Sequence, residues 1–169
     1  MRVQVLQEGC TPFKKHKTDA GWDLIASDGC TIAKTNTRKI GTGIRVAIPE
    51  GYMGMIVPRS GLGIKGVNLA NTVGVIDSTY RGEVFVCIKN NTSLSLTIEK
   101  GTRFAQLIIV PVNIEDIEVV DSLEDTERGE GGFGSTGTKT VPSIKQPIPE
   151  TRAIKPKAAP NLKKATGTK

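Results

Sequence analysis

Between Val67 and Glu83 the chain reads VNLANTVGVIDSTYRGE, and its polar residues stand at offsets that could do chemistry. Asn71 offers a donor and an acceptor, Gly74 lets a ligand approach the backbone closely, and Asp77 supplies an acceptor-only carboxylate. Tyr80 adds a flat apolar face three residues later. The set suits a flat, hydrogen-bonding ligand with a polar tail, of which a nucleotide is the commonest. The same residues also serve as ordinary turn chemistry between two Val/Ile runs, so the rest of the chain has to decide.

Other segments carry compatible groups. In PRSGLG, Arg59 provides forked charged donors, Ser60 a hydroxyl, and Gly61 and Gly63 a free backbone, which reads as a phosphate cradle or a plain surface turn. Gln106 interrupts the apolar run FAQLIIV and is costly to bury unless its amide is bonded, by backbone or by a ligand. Asp23, in TDAGWDLIAS, reads as a turn residue near the start of a strand, with Trp22 beside it as core. RGEGGFGSTG, residues 128 to 137, satisfies GxGxxG literally, but no strand leads in and no helix follows. Its Walker A spacing fails as well, because Ser135 stands where the lysine must be. What remains is a glycine-rich arm that orders only by closing over something, and its lone aromatic, Phe133, asks for a stacking partner.

Positioning these groups requires a scaffold, and the signals are those of an all-β fold. Gly is 19 of 169 residues, above the usual ~7%, and the apolar residues fall in short Val/Ile-rich runs between Gly, Asn and Pro. Val3 to Leu6 alternate as a first strand, and a second follows the Asp19 to Gly21 turn. Thr37 to Ile48 form a third, with a bulge or kink at Gly41 and Gly43. Pro49 to Gly51 turn into a strand over Tyr52 to Val57, and 67 to 83 form a β-hairpin. Val84 to Ile88, then Leu94, Leu96 and Ile98, then Phe104 to Val112 complete the strands, with Ile117, Val119 and Val120 as a last strand-like signal.

Length suits one domain with an appendage. No stretch approaches a membrane span and the N-terminus has no apolar leader, so a cytoplasmic protein is expected. Cys10, Cys30 and Cys87 lack zinc or disulfide spacing. His16, among Lys14, Lys15 and Lys17, reads as an exposed loop residue. The net charge of +6 is uneven: residues 1 to 137 carry 15 Lys/Arg and 16 Asp/Glu, whereas 138 to 169 carry 8 and 1. Eight of the sixteen residues from Glu115 to Glu130 are acidic. The Lys/Pro-rich end, 138 to 169, therefore reads as a disordered basic tail, either plainly solvated or making weak, salt-sensitive contact with nucleic acid or another polyanion.

Five blocks in order resemble the trimeric deoxyuridine triphosphatase (dUTPase) family: AGWDL at 20 to 24, PRSG at 58 to 61, NTVGVIDSTYRGE at 71 to 83, GTRFAQLI at 101 to 108, and RGEGGFGSTG at 128 to 137. The resemblance implies a β jelly roll over 1 to 127, an arm at 128 to 137 closing over a neighbour's site, and a homotrimer with active sites at subunit boundaries. It implies dUTP as substrate, with Asn71 and the backbone near Gly74 on the uracil edge and Tyr80 beneath the deoxyribose. Arg59, Ser60, Gly61 and Gln106 would hold phosphates. Arg128, Ser135 and Thr136 would close on the terminal phosphate while Phe133 stacks on the base. Asp77 would activate water for attack on the α-phosphorus, releasing dUMP and pyrophosphate, and Asp23 would engage Mg²⁺ through its water shell. Thr79 stands where members often carry Asp, and Trp22 replaces a more usual Tyr or Leu.

Two rivals follow. A dCTP deaminase shares fold and nucleotide but places a catalytic Glu where this chain has Cys87, and tends to read RSS where this chain has Arg59, Ser60, Gly61. A dUTPase-like regulatory module, in which nucleotide controls a protein partner through the arm, is compatible as an added role.

Overall fold

The computed structural model describes residues 1 to 132, so Phe133, Ser135, Thr136 and the stretch 138 to 169 lie outside the described residues. In chain order the elements are β1 (Arg2–Val5), β2 (Gly21–Ile25), β3 (Cys30–Ile32), β4 (Thr37–Ala47), β5 (Tyr52–Pro58), α1 (Ser60–Gly63), β6 (Val67–Leu69), β7 (Gly74–Ile76), β8 (Glu83–Asn90), β9 (Leu96–Ile98) and β10 (Arg103–Pro111). They make a nearly all-β fold of two four-stranded sheets, ordered β1-β4-β8-β6 and β2-β10-β5-β7, and a ribbon of β3 with β9. Each pairing is antiparallel. By its contacts the chain divides into Met1–Glu118 and Val119–Lys169.

Alternation does the sorting. Along β8 the burial runs partly buried, buried, exposed, buried, and so Val84, Val86 and Ile88 enter the core while Phe85 and Lys89 face out. Ile40, Ile44 and Val46 of β4 join them, with Leu24, Ile56, Phe104 and Leu107 from the second sheet. Phe104 is fully buried, and its burial contributes about 1.5–3 kcal/mol. The bulge expected at Gly41 and Gly43 is present: the β4–β8 register shifts between Gly41 and Arg45, and Gly43 has φ +63°. Glu83 pins it, its Oε1 accepting the Gly43 N–H at 2.9 Å.

The expected hairpin over 67 to 83 is instead a corner between sheets. β6 pairs with β8, whereas β7 pairs with β5. Period-2 patterning shows which face a residue takes but not which strand lies beside it, so two consecutive short runs mimic a hairpin. The corner turns through Thr72 at φ +62°, a region costly for a β-branched residue. Trp22 is half-buried with Lys14 Nζ 3.8 Å above its ring, not in the core as expected. PRSGLG closes into the one-turn helix α1 rather than a simple turn. Leu94 lies outside β9 and is 74% exposed. Residues 117 to 120 form no strand, and Ile117 and Val119 are exposed.

One buried polar residue organises the ribbon. Asn90 is fully buried, its Nδ2 donates to the carbonyls of Ile32, Ala33 and Leu94, and its Oδ1 accepts from Thr92 N and Oγ1. Asn90→Ala strands those carbonyls and is expected to cost about 3 kcal/mol. Chemical denaturation checks this, and a loss under about 1 kcal/mol would mean that the carbonyls find other partners.

Candidate functional site

The β2–β10–β5 sheet brings Asp23, Arg59, Arg103 and Gln106 together. Gln106 lies opposite Asp23 across the β10–β2 ladder and donates Nε2 to Asp23 Oδ1 at 3.1 Å. Arg59, just past β5, sets Nε 3.1 Å from the same oxygen and donates Nη1 to the Arg103 carbonyl at 2.9 Å. Arg103 places Nη1 3.3 Å from Asp23 Oδ2 and its guanidinium 4.8 Å above the Phe13 ring. Asp23 is thus a 7% exposed carboxylate that accepts from Arg103 and Gln106 and pairs with Arg59, and Gln106 is satisfied by a side chain.

Sequence reasoning missed Arg103. Residues 103 and 106 fall on opposite faces of a regular strand, but the β10–β2 register shifts between Arg103 and Ala105 and brings both to Asp23. Phe104 and Ala105, consecutive and both buried, mark the same bulge.

Arg59, Ser60, Gly61, Lys65, Arg103 and Gln106 line a groove of about 540 Å³. α1 opens it with no side-chain cap, which leaves the first N–H groups of the helix free for an acceptor. A Cβ at Gly61 or Gly63 would meet nothing within 4 Å, so sterics within the chain do not demand either glycine. Cations and free amides around an open groove suit a phosphate chain.

The corner residues form a separate pair of cavities. Asn71, Gly74, Ile76, Phe85 and Cys87 line one of about 100 Å³. Asp77, Tyr80 and Lys39 line another of about 270 Å³, which shares Val75, Ile76 and Phe85 with the first. Gly74 is also needed for packing: opposite Ile56 in the β5–β7 ladder, its missing Cβ would lie 3.0 Å from the Ile56 Cβ. Tyr80 donates its hydroxyl to the Glu83 carbonyl at 2.8 Å. Its ring covers Gly82, where a Cβ would overlap Oη and sit 2.6 Å from Cζ. The sequence does not reveal this role for Gly82, since nothing local tells the ring to fold back two residues. Neither corner cavity shares a lining residue with the groove beside α1.

Asp77 contrasts with Asp23. It is exposed, and among the described residues its carboxylate is in no ion pair. Nucleophilic thiol chemistry has less to offer, because burial pushes the Cys10 and Cys30 thiols up and keeps them protonated. His16 is an exposed loop residue, as expected.

No group of three or more His, Cys, Asp or Glu able to hold an ion occurs among the described residues. Asp23 accepts from Arg103 and Gln106 and pairs with Arg59, which leaves acceptor capacity on Oδ2 for a hydrogen bond from a metal-bound water. Asp23 therefore fits a hydrated Mg²⁺ carried by phosphates.

In Val119–Lys169, described to residue 132, Arg128 Nε donates to the Gly131 carbonyl at 2.9 Å within a turn that begins at Thr126. No described helix is long and apolar enough to cross a membrane.

A family model described as dUTPase matches residues 7–137. The deoxyuridine 5'-triphosphate nucleotidohydrolase of Corynebacterium diphtheriae is 44% identical over 128 residues, covering 75% of this chain and 84% of that protein. The enzyme of the same name from Clostridium kluyveri is 42% identical over 136 residues, covering 80% and 95%. Among solved structures, the Staphylococcus bacteriophage 80alpha dUTPase with dUPNHPP superposes with a TM-score of 0.75 at 32% identity, covering 80% of this chain and 97% of that one. A point mutant of the dUTPase from phage phi11 of S. aureus, described with a structural Mg(II) ion, gives 0.68 at 28% identity, covering 73% and 98%.

Proposed function

The chain belongs to the dUTPase family, and from that premise we propose how its residues hydrolyse dUTP to dUMP and pyrophosphate. The observation that carries the assignment is the contrast between its two site carboxylates: Asp23 is tied to Arg59, Arg103 and Gln106, while Asp77 is open beside a cavity. A carboxylate tied to two cations holds other groups in place; an open one can orient a water and take its proton.

Asp77 is accordingly the general base for in-line attack on the α-phosphorus. Asn71 and the backbone around Gly74 read the uracil edge in the small cavity, whose narrow volume of about 100 Å³ leaves little room for a larger base. Tyr80 packs beneath the deoxyribose. Arg59, Ser60, Gly61 and Gln106 hold the phosphates in the groove, and positioning with charge neutralisation supplies most of the rate gain. Mg²⁺ on the triphosphate would add charge neutralisation there, with Asp23 accepting from its water shell. Arg128, Phe133, Ser135 and Thr136 close over the bound nucleotide. The separation of groove from corner cavities supports a homotrimer in which different copies supply the two halves of each site. A cytoplasmic location fits an intracellular nucleotide as substrate. A deaminase is disfavoured because Cys87, lining the base cavity, is a poor proton shuttle.

Pyrophosphate release with Mg²⁺, compared across dUTP, dTTP, dCTP and UTP, tests the reading. Turnover of dUTP alone is expected; equal turnover of dTTP or dCTP would overturn the assigned base pocket. Gly82→Ala is expected to lift the Tyr80 ring from its seat and lower kcat/KM for dUTP about 10-fold or more, a loss of at least about 1.4 kcal/mol, while narrowing the preference over UTP. An unchanged dUTP to UTP ratio would remove Tyr80 from sugar selection.

A further inference from the structure

On the far side of the Asp23 cluster from α1 lies a second cavity of about 370 Å³. Arg59, Arg103 and Gln106 line both it and the phosphate groove, so the cluster is a shared wall. Lys14 and Lys15 complete the second cavity from the loop before β2. This loop is anchored to the sheet. Phe13 N donates to the Asp23 carbonyl at 3.0 Å and Asp23 N returns a bond to the Phe13 carbonyl at 2.7 Å. The turn beyond is closed by His16 N on Asp19 Oδ2 at 2.8 Å.

The charge balance leaves this cavity cationic. Asp23 is already shared between Arg59 and Arg103, and Asp19 is engaged by the His16 amide. Among the described residues neither Lys14 nor Lys15 has a carboxylate partner; Lys14 rests its ammonium on the Trp22 ring. Four cations against two carboxylates thus leave the space net positive, and a compact anion with several charged oxygens is the ligand that satisfies the excess.

We propose that this cavity is a second anion subsite that takes pyrophosphate. The proposal rests on cleavage at the α-phosphorus, which makes pyrophosphate in the adjoining groove. Because Arg59 and Arg103 line both spaces, the product is exchanged from the groove to the lysine side along these two guanidinium groups and leaves there, and free pyrophosphate enters from the lysine side. Nothing in the chemical step depends on Lys14 or Lys15.

Trp22 is the only tryptophan and lies under Lys14, a residue of the cavity wall, so it reports the subsite through that contact. The full-length protein, without nucleotide or Mg²⁺, is titrated with inorganic pyrophosphate while Trp22 emission and heat of binding are followed. A saturable emission change is expected. Lys15→Gln, which leaves the Lys14–Trp22 contact in place, should weaken that phase about tenfold, and the Lys14→Gln/Lys15→Gln pair should abolish it, leaving only heat from the groove. In turnover, the inhibition constant of added pyrophosphate should rise about tenfold in the pair, while single-turnover cleavage of dUTP stays unchanged. Single-turnover data report on product formed in place, and inhibition data on pyrophosphate from solution. Identical pyrophosphate affinity and inhibition in the wild type and the pair would overturn the subsite. Lysine-dependent binding in a protein that leaves dUTP intact would instead overturn the catalytic reading and leave an anion site.

Discussion

Asp77→Ala is expected to lower kcat for dUTP about 10³-fold or more while leaving the affinity for a nonhydrolysable dUTP analogue within about threefold, under about 0.7 kcal/mol. The expectation follows from where Asp77 stands. It lies at the end of β7, exposed, beside the cavity it shares with Tyr80 and Lys39. No ion pair or cap depends on its carboxylate among the described residues, so its removal deprives the site of a proton acceptor without collapsing the corner. The Asp77 carbonyl, which accepts the Tyr80 N–H at 3.1 Å, survives the substitution, and the turn that seats Tyr80 survives with it. Single-turnover cleavage and equilibrium binding, measured on the same preparation, separate the two effects. Turnover within tenfold of wild type would assign the base elsewhere, and a parallel collapse of binding would make Asp77 a substrate ligand instead.

The scaffold was legible where alternation and punctuation agree. β4 and β8 carry apolar alternation and β10 an apolar run interrupted only by Gln106, and their observed limits fall within one or two residues of the expected ones. Gly41 and Gly43 announced the bulge because a strand interior has little other use for them. What the sequence hid were partnerships. The runs at 67–69 and 74–76 look like two arms of one hairpin, yet they serve different sheets. Ile117 and Val119 have strand-like composition, but the chain there offers no ladder within 112 to 127, and composition cannot supply one.

The same limit applies at the site. Residue chemistry led to Arg59, Asn71, Asp77, Tyr80 and Gln106, and the family resemblance added Asp23; each of them lines a cavity. Neither revealed that Asp23 joins Arg59 to Arg103, because that contact spans three strands and turns on a bulge at Phe104. Nor did either pick out Gly82, whose importance lies in the atom it lacks.

Asp23→Asn is the second large effect, and it distinguishes two roles for one side chain. An amide in place of the carboxylate keeps one acceptor oxygen and turns an N–H₂ toward a guanidinium, so Arg59 and Arg103 lose their shared anion. One guanidinium then faces a neutral oxygen and the other an N–H₂, so Arg59 relies on its bond to the Arg103 carbonyl and Arg103 on its place over Phe13. With the cations no longer aimed into the groove, KM for dUTP should rise about 30-fold, equivalent to about 2 kcal/mol, with a smaller change in kcat. If Asp23 acted only by accepting from the water shell of Mg²⁺, excess Mg²⁺ would restore the rate. If it acts through the arginines, the defect persists at saturating Mg²⁺. It should also be non-additive with Arg59→Ala, since the second substitution removes a group the first has already misplaced. A Mg²⁺-rescued rate together with simple additivity would strip Asp23 of its positioning role. Persistence with non-additivity would make the two hydrogen bonds and the ion pair on one buried carboxylate the feature that aligns the groove.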